Sequence, residues 1–344
     1  PSVEFETKNT ITNVGLYELS PFSKYEIKGE LAHKELQRLC TANIKDEIGR
    51  TTYTQMLNEA GGIETDLTVI CIEKNYFRII SSAATRTHDK THILKHLSPK
   101  LEFKDITDDF VCLGIFGPKS RDLVSKLSKN NFSNEAFKFN TGKYVQISSK
   151  KVWIQRLSYV GELGFEIYIK VDDAKEIYQL IIEEGKNYNL SRCGSHAMDT
   201  MRMESGFLHW GHDISPEENQ YEAGLNFAIS YKKEISFIGK ESLLKIKNKK
   251  NNKRFIMLTL KHSKPGFPLL LHEEPIYLDN KIIGKTTSGN YSFIYKKNLS
   301  FGYIKSDYSN EELLNMNLYI EVAKKKYLAQ VESMPLKSKI ARSL

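Results

Sequence analysis

The stretch NEAGGIETDLTV, Asn58 to Val69, places a Gly-Gly turn directly before a β-branched strand. Side chains two residues apart on a strand point the same way, so Glu64 and Asp66 share one face at the strand's start. A strand start holds a side chain rigidly and still lets it reach a cleft. Asp66 therefore reads as a chemical group or as an ordinary strand-end residue, and the surrounding chain has to decide between the two.

Outward from this stretch the first half alternates strands and helices. "KYEIKG" reads as a short strand, and "ELAHKELQRLC" as a helix with Ala32, Leu36, Leu39 and Cys40 on one stripe. Tyr53 to Leu57 is a strand, and "TDLTVICIEKNYFRII" a hairpin turning near Asn75. "DKTHILKHLS" is a helix, "DFVCLGIFG" a buried strand, and "PKSRDLVSKLS" a helix with Pro118 in its first turn. More strands follow from Lys143, broken at Gly161 and Gly164, and then helices over Asp172 to Tyr188 and His196 to Phe207. This mixed order, without a regular strand-helix repeat, predicts an α+β fold.

The Lys-Asn-rich segment from 245 to 254 reads as a linker. Beyond it lie short strands with turn signals, Asp279-Asn280 among them, which predict a small all-β C-terminal domain of barrel or sandwich type. The expected division is 1–244 and 253–344.

Composition narrows the function. No apolar run approaches the roughly 18 residues that span a bilayer, and there is no secretory apolar region, so neither a membrane role nor export is expected. Cys40, Cys71, Cys112 and Cys193 are widely spaced and form no C-x-x-C pair, which reads as reduced thiols of a cytoplasmic or organelle-matrix protein. The net charge of +8 concentrates in Lys245 to Arg254 and Ala323 to Tyr327. Neither run interleaves aromatic platforms, so nucleic acid is not an expected partner.

Two segments are candidates for chemistry. In "SYVGELGFEIY", Ser158 to Tyr168, two glycines precede an alternating strand with Phe165, Ile167 and Ile169 on one face and Glu166 on the other. Such a turn lets backbone approach a flat ligand, and Glu166 would accept from a donor-donor edge such as a 2-amino-pyrimidinone. A plain hairpin with an exposed Glu fits the same pattern. In "HAMDTMRMESGFLHWGHDISPEENQYEAGL", His196 to Leu225, Asp199 and Arg202 are spaced as an intrahelical pair. His209 and His212, with Asp213, might suggest a metal, but the i, i+3 pair lies across a glycine-containing turn and no third ligand is evident, so no metal is expected. No G-x-S-x-G, P-loop or G-x-G-x-x-G is present, which removes serine hydrolysis, NTP hydrolysis and self-contained flavin or nicotinamide chemistry.

The segments "LYELSPFSKYEIKG", "YTQMLNEAGGIETDLTV", "LGIFGPKS", "SYVGELGFEIY", "MRMESGFLHWGHDISPEENQYEAGL", "FIGKESL" and "GKTTSGNYS" occur in this order from about Gly15 to Val331. In that order they resemble the folate-dependent aminomethyltransferase family, that of the glycine cleavage T-protein. The single aspartate of "GGIETDLTV" and the "HWGHDISPEE" loop look closer to the C-terminal folate modules of dimethylglycine and sarcosine dehydrogenases, which carry a flavin domain upstream. With Pro1 as first residue, this suggests an excised module or a stand-alone relative.

The resemblance implies two α+β units and a C-terminal β-domain around a central hole that holds tetrahydrofolate. It implies Asp66 as the catalytic acid, Glu166 as the grip on the pterin ring and Tyr159 beside it. Arg202 falls where the family has a basic residue near the folate, and Tyr53 and Trp210 are wall residues. The implied activity moves a methylene unit from a dimethylglycine-, sarcosine- or glycine-type amine to tetrahydrofolate, giving 5,10-methylenetetrahydrofolate. A flavoprotein domain or subunit would supply the activated carbon. The alternatives are a tetrahydrofolate-dependent demethylase of another methyl donor and a folate-binding scaffold without catalysis.

Overall fold

The turn at Gly61-Gly62 exists because another loop presses on it. In the computed structural model, which describes residues 2–249, 253–305 and 308–337, Gly61 has φ +91° and a Cβ on Gly62 would lie 2.1 Å from the Pro216 carbonyl oxygen. The Ile63 N–H donates to the Glu218 carbonyl at 2.9 Å, so the strand that follows is anchored to the 215–218 loop from its first residue. That strand, Ile63–Glu73, alternates as expected at its start: Ile63, Thr65 and Leu67 are buried, while Glu64, Asp66 and Thr68 are half-buried on the other face.

It belongs to a five-stranded antiparallel sheet in the order Thr51–Leu57, Ile63–Glu73, Tyr76–Ser81, Ser23–Lys28, Glu102–Asp105. The hairpin turns at Asn75, φ +60°, a conformation Asn tolerates better than most residues. Helix Ala32–Leu39 buries Ala32, Leu36 and Leu39 against Tyr25, Phe77 and Ile79 of this sheet, and Ile93 of helix Arg86–His96 joins the same cluster. Each such fully buried aliphatic or aromatic side chain contributes about 1.5–3 kcal/mol.

A second, six-stranded sheet runs Leu190–Cys193, Val14–Glu18, Phe110–Phe116, Gly164–Lys170, Lys150–Gln155, Gly142–Ile147. Only the pairing of Val14–Glu18 with Leu190–Cys193 is parallel, in keeping with an α+β chain. Strand Gly164–Lys170 is buried on both sides. Phe165, Ile167 and Ile169 pack under helices Ser120–Leu127 and Val171–Gly185, while Tyr168 and Cys112 share a cluster with Ile70 and Ile72 of the first sheet.

Beyond residue 252, strands Lys253–Leu260, Lys297–Lys305, Lys281–Ser292, Pro275–Leu278, Asn317–Val322 and Lys325–Glu332 close into a barrel. Asp279, φ +53°, turns the hairpin as expected.

Three local expectations need correction. Pro118 lies in the turn before the helix, which begins at Ser120 because Gly117 first turns the chain with φ +127°. Gly164 opens its strand, pairing with Phe116, rather than breaking it. The expected linker is largely structured: Lys245–Lys247 end helix Lys240–Lys247, Lys253 and Arg254 begin the barrel, and 250–252 lie outside the described residues. Among the described residues no helix is long and apolar enough to cross a membrane, and all four cysteines are unbridged.

Among the contacts that tie the barrel to the rest, Thr287 and Ser288 of the barrel hydrogen-bond to a buried ion pair. Arg202, on helix Ser195–Glu204, donates from Nη1 to Asp213 Oδ2 at 2.5 Å and from Nη2 to Ser288 Oγ at 2.8 Å; the two ionic side chains are 2% and 0% exposed. Thr287 and Ser288 hydroxyls donate to the other Asp213 oxygen at 2.6 and 2.8 Å, and Met203 packs on Phe255, Met257 and Phe301. Removing one member of such a pair strands a buried charge, typically costing about 3–5 kcal/mol. Asp213→Ala should therefore lower unfolding free energy by about that much in denaturant titrations, whereas Asp199→Ala, whose side chain is 36% exposed, should cost under about 1 kcal/mol. Equal, small losses would contradict this assignment.

Candidate functional site

Asp66 and Glu166 are held by the same device on different sheets. Asp66 faces Gln55 across the ladder, and Gln55 Nε2 donates to Asp66 Oδ1 at 2.7 Å. Glu166 faces Gln155 across the other ladder, and Gln155 Nε2 donates to Glu166 Oε2 at 2.7 Å. A directly opposite residue is the nearest side chain a strand can offer, and a glutamine reaches a carboxylate there without adding charge. The Gln55 side-chain Oε1 in turn accepts from Gln220 Nε2, which also donates to Thr41 Oγ1.

Burial pushes the Asp66 carboxyl up to about 6; the hydrogen bonds from Gln55 and the Tyr53 hydroxyl pull the other way, and the charge of Asp89 adds to the rise. A carboxylate with that value exchanges protons near neutral pH. Tyr53 is half-buried and stacks on Phe227 with centroids 6.2 Å apart, and Phe227 is 74% exposed. Tyr159 is close enough to feel Asp66, and its hydroxyl donates to the Leu208 carbonyl at 2.9 Å while its ring stacks on Phe207. Trp210 shares an apolar cluster with Tyr53, Leu208 and Ile63. Asp66, Tyr53, Tyr159 and Trp210 thus gather around one end of the site.

Glu166 belongs to a separate group. It is 8% exposed, so the exposed hairpin reading fails: the strand lies inside the sheet, between two neighbours. Burial raises its carboxyl above the usual range, opposed by hydrogen bonds from Tyr168 at 2.8 Å and from Gln155. Both bonds fall on Oε2, so Oε1 keeps its accepting capacity. The Gln155 Oε1 beside it is buried without a hydrogen-bond partner among the described residues, as is Trp210 Nε1. Orphaned buried polar atoms are rare in folded proteins, and acceptors of this kind suit a ligand edge rich in N–H groups. A folate pterin has such an edge, so the residues fit that cofactor.

The turn feeding this strand is set by Gly161, φ +76°, where a Cβ would lie 2.0 Å from Ser205 Oγ. Ser205 ends the helix that carries Arg202. The Arg202 guanidinium is taken up by Asp213, Asp199, Ser288 and the Phe207 carbonyl, and lies over the Phe301 ring. Asp213 also accepts from the His209 N–H at 2.9 Å, which makes it the organiser of the 207–214 loop.

Gln55, Gln155 and Phe227 escaped the sequence reading. The two glutamines were findable once the strand registers were known, since each lies 11 residues before its carboxylate. Phe227 carries no local signal; only the tertiary approach of the 226–228 turn to Tyr53 reveals it.

With this geometry in hand, comparison with known proteins is informative. Residues 1–233 match the family model for the GCVT N-terminal domain, and residues 253–337 that for the glycine cleavage T-protein C-terminal barrel domain. Rat mitochondrial dimethylglycine dehydrogenase is 32% identical over 334 residues, 96% of this chain but 38% of the rat protein, so the chain spans well under half of that relative. An aminomethyltransferase from Halothermothrix orenii is 30% identical over 308 residues, 89% of this chain and 84% of that one. The crystal structure of glycine cleavage system aminomethyltransferase T from Bartonella henselae superposes with a TM-score of 0.86 at 22% identity, covering 98% of this chain and 90% of that one, a likeness of fold. The chain belongs to the glycine cleavage T-protein family of tetrahydrofolate-dependent transferases.

Proposed function

We propose that this chain transfers a one-carbon unit at the methylene level from a dimethylglycine- or sarcosine-type amine to tetrahydrofolate, giving 5,10-methylenetetrahydrofolate. The observation that carries the reading is Asp66: a half-buried carboxylate, fixed by Gln55 and Tyr53, with its proton affinity raised to about pH 6. Bound tetrahydrofolate supplies the nucleophilic nitrogen that accepts the carbon.

The protein's residues do the rest. Glu166 and Gln155 offer acceptors to the pterin edge and fix its orientation, and orientation of two reactants is worth up to about 7–11 kcal/mol. Tyr53 and Tyr159, each stacked on a phenylalanine, line the approach and exclude water. Asp66, ionised, faces the positive charge of an amine-derived carbon and takes the proton released as the new bond forms. Arg202 acts at one remove, by holding the 207–214 loop that carries Leu208 and Trp210. The chain has no dinucleotide-binding fingerprint, which supports a flavoprotein domain or subunit as the source of oxidised amine. The likeness to rat mitochondrial dimethylglycine dehydrogenase supports the same partner.

The test is a transfer assay in which dimethylglycine is oxidised by a separate flavoenzyme in the presence of tetrahydrofolate, and methylenetetrahydrofolate is read through an NADP-linked dehydrogenase. The parent should raise the rate above the uncatalysed trapping of formaldehyde, and Asp66→Asn should lower kcat by about 100- to 10,000-fold, the usual span for loss of a general base. Parent and variant with equal rates would remove Asp66 from the reaction. The parent's rate should also climb as pH rises through about 6 and then level, since Asp66 must be ionised.

Stability should move the other way. Between about pH 4 and 6 the folded state holds a proton on Asp66 that the unfolded chain releases, so stability from this group is present at low pH and lost as pH rises through about 6. Asp66→Asn should therefore melt at the same temperature as the parent or higher at pH 7.5. Any such gain should shrink as the pH is lowered toward 4, and a variant that melts well below the parent at pH 7.5 would contradict the assigned burial cost.

A further inference from the structure

Gln220 reaches Asp66 through one other side chain, and the direction of each hydrogen bond on that path is set from its far end. Thr41 Oγ1 donates to the Ala228 carbonyl at 3.1 Å, which leaves the hydroxyl to accept from Gln220 Nε2, also at 3.1 Å. The same nitrogen donates its other hydrogen to Gln55 Oε1 at 2.5 Å. Gln55 then has only its NH2 end for Asp66, where Nε2 donates to Oδ1 at 2.7 Å.

Thr41, Gln55 and Gln220 are fully buried, so water does not compete for these bonds. The segment that carries Gln220 is also locked to the Asp66 hairpin: the Glu218 carbonyl accepts from the Ile63 N–H at 2.9 Å, and the Pro216 carbonyl lies against Gly62. Thr41 is tied to the opposite strand by its own N–H, which donates to the Gln55 backbone carbonyl at 2.9 Å. One atom of the chain is left over: Gln220 Oε1 is buried without a hydrogen-bond partner among the described residues. Such atoms are rare, and this one shows that the amide is held for what its NH2 end does.

An amide has nearly the same shape either way round but opposite chemistry. Its NH2 end stabilises a carboxylate, whereas its oxygen accepts from a protonated acid. A Gln55 free to turn over would serve both states of Asp66. A Gln55 whose oxygen is held elsewhere serves the carboxylate. We propose that Gln220 is a positioning residue of this site: anchored through Thr41 to the Ala228 carbonyl, its amide holds Gln55 with the NH2 end toward Asp66 and so keeps Asp66 as the acceptor that the transfer needs. The inference rests on the one-carbon transfer proposed above, and Gln220 acts in it only through Gln55. The other groups that face Asp66 are Tyr53 on the adjacent strand, Tyr159 in the turn before strand Gly164–Lys170, and Asp89 on helix Arg86–His96. None of them belongs to the segment that carries Gln220.

The test is Gln220→Met, close in shape and without a donor. The Asp66 carboxyl carbon is titrated by NMR, with Asp66→Asn to identify its resonance, and the dimethylglycine transfer rate is followed over the same pH range. The expected midpoint lies about one pH unit above the parent's, with the rate lowered about fivefold near pH 6 and less than about twofold near pH 8. In a Gln55→Met background the same substitution should add nothing, because the link is already cut. Should Gln220→Met fail to fold, Thr41→Val, which removes the anchoring hydroxyl, carries the same comparison. An unmoved midpoint, an equal shift in the Gln55→Met background, or a rate lowered by the same factor at every pH would overturn the proposal. A parent that transfers nothing would overturn the one-carbon reading and the part of Gln220 in it, even where the midpoint moves, whereas an active parent with an unmoved midpoint would overturn the proposal alone.

Discussion

The Arg202–Asp213 pair is the constraint on which the site's shape depends. Neither charge sees water, and each is paid in hydrogen bonds from three directions: the helix that carries Arg202, the 207–214 loop, and barrel residues Thr287 and Ser288. A buried pair of this kind adds little net stability over an apolar filling, but it is unforgiving of displacement. That property suits its position. The loop it fixes carries the carbonyl that receives Tyr159 and the ring of Trp210, and the helix it fixes ends at Ser205, against which Gly161 turns the chain into the Glu166 strand.

Around this clamp the two sheets offer their carboxylates in a matched way. Gln55 with Asp66 and Gln155 with Glu166 are opposite residues of antiparallel ladders, and in both cases an uncharged donor opposes the rise in proton affinity that burial causes. The consequences differ because the surroundings differ. Asp66 stands half-buried beside tyrosines and near other acids, where a proton can come and go; Glu166 sits inside a sheet, where a fixed acceptor is the useful product.

Much of this was legible in the sequence. Alternation exposed the Glu64–Asp66 face, the helical stripe of Ala32, Leu36 and Leu39 located a core, and the motif order pointed to the family. The rest was hidden for physical reasons. Strand register is set by pairing across sequence, so the glutamine partners could not be read from either segment alone. The solvent-facing look of Glu166 came from alternation, which fails for a strand covered on both faces. Arg202 looked like half of an ordinary i, i+3 pair with Asp199; the stronger partner, Asp213, comes from a loop that the Gly206 and Gly211 turns bring back beneath the helix. The barrel strand around Lys253 likewise began inside what composition marked as linker.

The central claim is that Glu166 grips a reduced folate within this architecture. Calorimetric titration of 5-formyltetrahydrofolate into the parent protein and into Glu166→Ala tests it most directly. Saturable binding that weakens more than tenfold in the variant, over about 1.4 kcal/mol, is the predicted result. Equal affinity in the two proteins, or no saturable binding by the parent, would contradict it.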